Sequence, residues 1–137
     1  MHPSLESLAS GFPELIKYLL VVTAIYIVGL FVYVKLTPHK EIALVREGNM
    51  AAAISFSALI IGLALPLAAC LVYKVGLIDV LVWGSVSVLL QLFLFRIADI
   101  ILTGIPQRIK DGEVAAATVL AAFKLAGSII LAFAIAG

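Results

Sequence analysis

The stretch Leu89–Pro106 reads LLQLFLFRIADIILTGIP, and it carries Gln91, Arg96 and Asp99 within an otherwise apolar run. A run of about 20 apolar residues is long enough to cross a bilayer as a helix. The whole chain of 137 residues is 64% hydrophobic and 12% charged, and its mean hydropathy is +1.25. A soluble domain of this size would need more polar surface, so we expect an integral membrane protein.

Four apolar runs predict four transmembrane spans, at residues 15–36, 50–73, 78–103 and 114–136. Backbone groups in hydrocarbon must be hydrogen-bonded within each segment, so the spans should be helices. The predicted fold class is an all-α integral membrane protein, a bundle of four transmembrane helices. Residues 1–13 precede the first span, and they fit either a short amphipathic segment on the membrane surface or a disordered tail.

A tandem repeat is predicted from two similar segments. REGNMAAAISF begins at Arg46 and KDGEVAAATVL begins at Lys110, so the two copies lie 64 residues apart (110 minus 46). Gly48 matches Gly112, and each segment carries an alanine triplet. We therefore predict two two-helix hairpins, residues 14–74 and 75–137, that point the same way across the membrane, unlike the inverted repeats of many transporters.

The basic residues of the loops predict the orientation. Lys40 and Arg46 follow the first span and Arg108 and Lys110 follow the third, whereas only Lys74 follows the second. Lysine and arginine are enriched on the cytoplasmic side, so both longer loops should be cytoplasmic and both termini outside. The four basic loop residues are candidate contacts for a cytoplasmic protein partner. The alternative is an ordinary solvated surface.

The candidate functional residues are polar side chains within the spans, namely Gln91, Arg96, Asp99 and Lys124. Such charges are costly in a bilayer and mark candidate sites. Arg96 and Asp99 are three residues apart and can pair on one helix face, and Lys124 should reach Asp99 across the helix interface. Two hypotheses stay open: these residues line a polar pathway or pocket, or they hold the helices together. Whether Lys124 is charged also stays open.

Small residues predict where helices pack closely. Ala58 and Gly62 in the second span are four residues apart, as in small-xxx-small motifs, and the fourth span repeats the spacing at Ala117/Ala121 and at Ala122/Ala126. The packing is either within one chain or between protomers. Pro66 has no backbone N–H and should free the carbonyl of Gly62.

Several function classes lack support in the sequence. The net charge of +1 does not favour nucleic-acid binding. Cys70 is the only cysteine, and no metal-binding motif is present. We find no nucleophile with a base or paired carboxylates that would suit acid–base catalysis. We expect no enzyme activity, no cofactor and no bound metal.

The segment TPHKE at residues 37–41, the GN-x-AAA run from Gly48, and Gly62 with Pro66 resemble the DUF350 family, also called UPF0719 inner-membrane proteins. The resemblance covers nearly the whole chain. It implies a small four-span protein of the bacterial inner membrane whose molecular function is not established. It also implies a link to envelope stress, since family members often lie near genes for phage-shock-like and envelope-stress proteins.

Two functional hypotheses follow. The first is a scaffold or interaction subunit associated with envelope stress. The second is a subunit of an oligomeric channel or transporter, with a polar path lined by Gln91, Arg96, Asp99 and Lys124. A lipid bilayer surrounds the protein in both, and we expect a homo-oligomer. The sequence does not identify a solute, a partner, the number of protomers or a physiological trigger.

Overall fold

The computed structural model describes residues 2–36, 41–74, 76–101 and 104–137, apart from the side chain of Pro106. Within these ranges the helices are α1 Pro3–Leu36, α2 Glu41–Arg46, α3 Met50–Tyr73, α4 Leu77–Ile101, α5 Ile105–Lys110 and α6 Val114–Ala136. In this described part, α1, α3, α4 and α6 are long and apolar enough to cross a membrane. The predicted all-α fold with four transmembrane helices is therefore confirmed.

The predicted span boundaries agree closely with the helices. α3 and α6 begin and end at the predicted residues, and α1 ends at Leu36 as expected. α4 begins at Leu77, one residue before the predicted start. The predicted end of that span, at residue 103, lies outside the described residues.

The N-terminal residues form part of the first long helix. α1 runs from Pro3 through Pro13 to Leu36, so the boundary predicted after residue 13 is absent and the disordered-tail alternative is wrong. Pro13 removes one backbone donor, but the flanking leucine, alanine and glutamate residues favour the helix. The loss of one backbone hydrogen bond does not interrupt a helix of 34 residues. Whether this part of α1 lies on the membrane surface stays a prediction.

Both predicted polar loops contain a short helix that sequence reasoning missed. Each six-residue helix, α2 and α5, ends in a turn at a glycine with positive φ, 86° at Gly48 and 84° at Gly112. The turns share a pattern: the Gly48 N–H donates to the carbonyl of Val45, and the Gly112 N–H to that of Ile109, both at 2.9 Å. The two turns are locally equivalent, and the tandem repeat itself stays a prediction.

The centre of the bundle is the interface between α3 and α6. The two helices run in the same direction and approach closely, since a Cβ added at Gly62 would lie 2.6 Å from Ser128 Oγ. α4 packs against α1, α3 and α6, whereas α1 lies at the periphery. Ala58, Gly62 and Pro66 are buried in α3 as predicted for packing residues.

The predicted packing role of Ala122 and Ala126 is not seen within the chain. Both residues are exposed, whereas the other predicted pair, Ala117 and Ala121, is buried. Lys124 faces the interior, and at about 100° per residue Ala122 and Ala126 lie roughly 160° around the helix from it. Their alternative role, packing between protomers, stays a prediction.

Candidate functional site

Polar side chains from α1, α4 and α6 meet inside the bundle. We call this set the polar cluster, and its members are Tyr33, Gln91, Asp99, Lys124 and Ser128. Gln91 and Ser128 are fully buried, Lys124 is 2% exposed and Asp99 is 6% exposed. The cluster is therefore closed off from the surface of the single chain.

Lys124 is the one basic residue of the cluster. Its Nζ lies 3.2 Å from Asp99 Oδ1 and donates a hydrogen bond to Tyr33 Oη at 2.5 Å. The same nitrogen lies 5.0 Å from the centroid of the Tyr33 ring and 5.4 Å from that of Phe95. The aromatic faces add a favourable cation–π environment. The predicted contact between Lys124 and Asp99 across the helix interface is confirmed.

The cluster is rich in acceptors that lack a donor. Among the described residues, neither carboxylate oxygen of Asp99 nor the Gln91 Oε1 accepts an aligned hydrogen bond. The Lys124 nitrogen stands at ion-pair distance from Asp99 but is not aligned for a hydrogen bond. A buried acceptor without a donor is costly, so these three oxygens are the places where a small polar ligand or water would be stabilised.

Gln91 connects α4 to two other helices. Its Nε2 donates to the backbone carbonyl of Gly62 at 3.2 Å and to the Ser128 hydroxyl. The hydroxyl in turn donates to the carbonyl of Lys124 at 2.8 Å. Pro66 explains the first contact, because its missing N–H leaves the Gly62 carbonyl without the usual helical donor. Gln91 thus joins α4 to α3 and α6.

Arg96 does not belong to the polar cluster. It is exposed, and within the described ranges it forms no ion pair with Asp99. The predicted pair of Arg96 and Asp99 is therefore wrong. Asp99 turns inward, where it neutralises Lys124, whereas the long arginine side chain can extend outward to polar surroundings.

Sequence reasoning missed Tyr33 and Ser128. Ser128 follows Lys124 by four residues and so lies on the same face of α6, a spacing that could have indicated it. Tyr33 had no such signal, because a tyrosine near a helix end is also typical of a membrane interface. Its hydroxyl is brought to Lys124 only by the packing of α1.

The basic loop residues lie at the end of the bundle that carries α2 and α5, called here the α2/α5 end. Arg46, Arg108 and Lys110 are exposed there, and Arg108 forms an ion pair with Glu113. Lys40, the fourth predicted contact residue, lies outside the described residues. Glu41, at the start of α2, is only 4% exposed and accepts a hydrogen bond from Ser55 Oγ at 3.1 Å.

Asn49 fastens the two short helices to each other. Its side-chain oxygen accepts from the Ala52 N–H at 3.0 Å and caps α3, as its position before the helix favours. Its Nδ2 donates to the carbonyls of Ile109 and Lys110 at the end of α5, at 3.0 and 3.2 Å. One amide thus joins the first hairpin to the second.

A comparison with known protein families identifies this architecture. Residues 7–135 match the family model described as Domain of Unknown Function (DUF350). The chain belongs to the DUF350 family. It is 30% identical over 112 residues to the UPF0719 inner membrane protein YjfL of Escherichia coli K12 and to its counterpart in strain O157:H7. That alignment covers 82% of this DUF350 chain and 85% of each relative, and no solved structure matches.

The family membership confirms the resemblance that the sequence motifs indicated. The DUF350 relatives are inner membrane proteins by name, in agreement with the four apolar helices of this chain. Neither the family description nor the relatives' names state an activity. The function must therefore be argued from the polar cluster and from the surface at the α2/α5 end.

Proposed function

We propose that this DUF350 chain is a non-enzymatic interaction subunit of the bacterial inner membrane. It would present a preformed charged surface at its α2/α5 end to a protein partner. We call this surface the platform, and its exposed residues are Arg46, Glu47, Arg108, Lys110 and Asp111. The observation that carries the proposal is the Asn49 bridge, because it holds the two halves of the platform in one arrangement.

Further contacts anchor the platform from below. Ile109 of α5 is fully buried and packs with Ala51, Ala52 and Leu120. The buried Glu41 joins α2 to Ser55 of α3. A surface whose backbone is fixed before binding loses less entropy on binding, and its mixed charges would select the partner by electrostatic complementarity.

The polar cluster supports the same proposal. Its side chains are engaged mainly with one another and with the Gly62 carbonyl, so they join four helices inside the single chain. Interhelical hydrogen bonds and ion pairs of this kind stabilise membrane bundles. We attach the role to envelope stress on the family resemblance alone, and stress-dependent partner capture would test it.

Photo-crosslinking in intact cells tests the platform. A photoreactive residue at Asp111 should give one discrete crosslinked product, and the double variant Arg46→Glu, Lys110→Glu should abolish it. The matched control Lys17→Glu, Lys74→Glu reverses the same number of charges away from the platform, within α1 and at the end of α3, and should leave the product unchanged. A product that survives reversal of Arg46 and Lys110 would contradict the proposal.

A second candidate function is favoured by a cavity between α4 and α6. The cavity has a volume of about 330 Å³ and reaches Gln91 and Lys124, while its other walls are apolar. It borders the part of the bundle where Gln91 Oε1 lacks a donor among the described residues. This arrangement would suit a subunit of a channel or transporter. Because Arg96 faces elsewhere, such a path would use Gln91, Asp99 and Lys124 only.

The protomer count tests the second candidate. Four helices around a closed cluster leave no room for a water path within one chain, so a conducting form requires a ring of copies. Native mass spectrometry of the purified protein would then show a defined oligomer. Ion flux into liposomes should fall in Gly127→Leu, which fills the cavity, and persist in the control Val119→Leu on the exposed face of α6. A strict monomer would contradict this candidate.

A further inference from the structure

An apolar groove runs between α1 and α4 on the outside of the bundle. It has a volume of about 400 Å³, within the roughly 300–1,000 Å³ typical of ligand sites. We call it the α1/α4 groove, and its walls include Val28 and Val32 of α1 and Ser85, Leu89 and Leu92 of α4. Nothing in its lining except the Ser85 hydroxyl is polar.

Two glycines bring α1 and α4 close enough to form the groove. A Cβ at Gly29 would lie 2.9 Å from Val88 Cγ1, and one at Gly84 would lie 3.2 Å from Ile25 Cδ1. The backbones therefore approach closely on the inner side, and larger side chains such as Val28 and Leu89 form the walls on the outer side. The groove is thus a consequence of this helix crossing.

Two exposed cations flank one end of the groove. Lys35 follows Val28 by seven residues and Arg96 follows Leu89 by seven residues, so each cation continues a groove-lining stripe two turns further on. α1 and α4 run in the same direction, since Gly29 faces Val88 and the Tyr33 ring lies 5.9 Å from that of Phe95. Lys35 and Arg96 therefore lie at a similar position along the axes of the two helices.

Neither cation is neutralised by a carboxylate in the described part of the chain. Lys35 Nζ lies 5.4 Å from the centroid of the Phe31 ring, and neither Lys35 nor Arg96 takes part in the ion pairs found among the described residues. An arginine within a transmembrane helix is costly unless an anion or the head-group region neutralises it. An external anion at this position would remove that cost.

We propose that the α1/α4 groove binds an anionic phospholipid. One acyl chain would lie along the apolar walls, and the phosphate would sit between Arg96 and Lys35. Guanidinium groups bind phosphate oxygens through paired hydrogen bonds, and basic sites between transmembrane helices bind anionic head groups. Arg96 lies five residues before the described end of α4, about 7.5 Å at 1.5 Å per residue, which a long side chain can span toward the head groups.

A second copy of this chain fits the groove less well than a lipid. Within the described ranges it offers no exposed carboxylate at this depth, because Asp99 is buried against Lys124. The carboxylates of Glu14 and Asp79 lie in the N-terminal halves of α1 and α4, whereas Lys35 and Arg96 lie in the C-terminal halves. The groove's charge is therefore complementary to a phosphate and not to another copy.

Native mass spectrometry with defined lipids tests the head-group half of the proposal. The full-length protein in detergent would be titrated with phosphatidylglycerol and, separately, with phosphatidylcholine. We expect wild type to retain phosphatidylglycerol about tenfold better, a difference of about 1.4 kcal/mol. Arg96→Gln, Lys35→Gln should abolish that preference, and the control Lys17→Gln, Lys74→Gln, which removes the same charge elsewhere, should keep it.

Filling the groove tests the acyl-chain half. Ser85→Leu should reduce retention of phosphatidylglycerol several-fold, whereas Ser57→Leu on the exposed face of α3 should not. Equal retention of the two lipids by wild type, or full retention by the double charge variant, would overturn the site. Unchanged retention in Ser85→Leu would overturn the groove assignment. A changed protomer number in Arg96→Gln with unchanged lipid retention would instead place Arg96 between copies.

Discussion

Lys124 illustrates how single residues determine this bundle. A lysine at the centre of a transmembrane helix costs about 2.5–3.5 kcal/mol on insertion, and here it is offset by Asp99 and the Tyr33 hydroxyl. The two buried side chains are paired with each other, so each depends on the other. Removing one leaves an isolated buried charge, which costs more than removing both.

We predict that Lys124→Leu lowers the free energy of unfolding by about 3–5 kcal/mol, because Asp99 loses its counter-charge. The double variant Lys124→Leu, Asp99→Leu should recover most of this loss. Thermal unfolding of the purified protein, followed by the fluorescence of Trp83, would measure both. Lys110→Leu, at an exposed position, serves as the control. A Lys124→Leu protein that unfolds like wild type would refute the structural role of the pair.

Gln91 and Pro66 should be energetically coupled. Gln91 satisfies the Gly62 carbonyl that Pro66 leaves free, so Gln91→Leu should cost about 1–3 kcal/mol through that unpaired carbonyl. In a Pro66→Ala background the new N–H would bond to the same carbonyl, and Gln91→Leu should then cost less. A double-mutant cycle on unfolding free energies measures this coupling. Strict additivity of the two changes would contradict it.

At the scale of helices, the interface of α3 and α6 depends on the absence of side chains. Gly62→Ala would place a methyl group 2.6 Å from Ser128 Oγ and 3.3 Å from Phe95, so we predict a loss of about 1–3 kcal/mol from overpacking. Gly127→Ala is the matched control on α6, where a Cβ meets no heavy atom within 4 Å. It should be neutral or stabilise the helix by up to about 1 kcal/mol.

The same unfolding measurement compares the two glycine variants. Equal stability of Gly62→Ala and Gly127→Ala would show that α3 and α6 can separate without penalty. A loss confined to Gly62→Ala is the expected result, because only that position lacks space. The comparison separates packing from helix propensity, since both variants exchange glycine for alanine inside a transmembrane helix.

The sequence predicted the span limits well but the inward faces poorly. Asn49 and the apolar runs mark the start of α3 and its length, so those limits could be predicted. The inward face of α6 could not be read from its alanines, because a helix that is apolar all round has no amphipathic signal. Lys124 and Gln91 did indicate inward faces, since polar groups avoid lipid.

Two features required the folded structure. The six-residue helices α2 and α5 are too short to show a helical period, and their positions depend on contacts such as the burial of Ile109. The partner of Asp99 was ambiguous, because Arg96 is close in sequence and Lys124 is close in space. Only the packing of α4 against α6 decides between them.

At the scale of the whole molecule, the platform and the groove cations share one end of the bundle. Arg46, Arg108 and Lys110 are exposed at the α2/α5 end, and Lys35 lies one residue before the adjacent end of α1. Away from this end, Lys17 lies within α1 and Lys74 follows the last residue of α3. The excess of positive charge at the α2/α5 end predicts that this end faces the cytoplasm and both termini face outside.

Cysteine labelling in a Cys70→Ala background tests this orientation, since Cys70 is buried and is the only native thiol. We predict that a membrane-impermeant maleimide labels Ser4→Cys in intact spheroplasts but labels Asp111→Cys only after permeabilisation, because the exposed Asp111 lies on the platform. Labelling of both in a denatured sample controls for expression. The reverse pattern would place the platform outside, and any partner of Arg46 and Lys110 would then have to be sought in the periplasm.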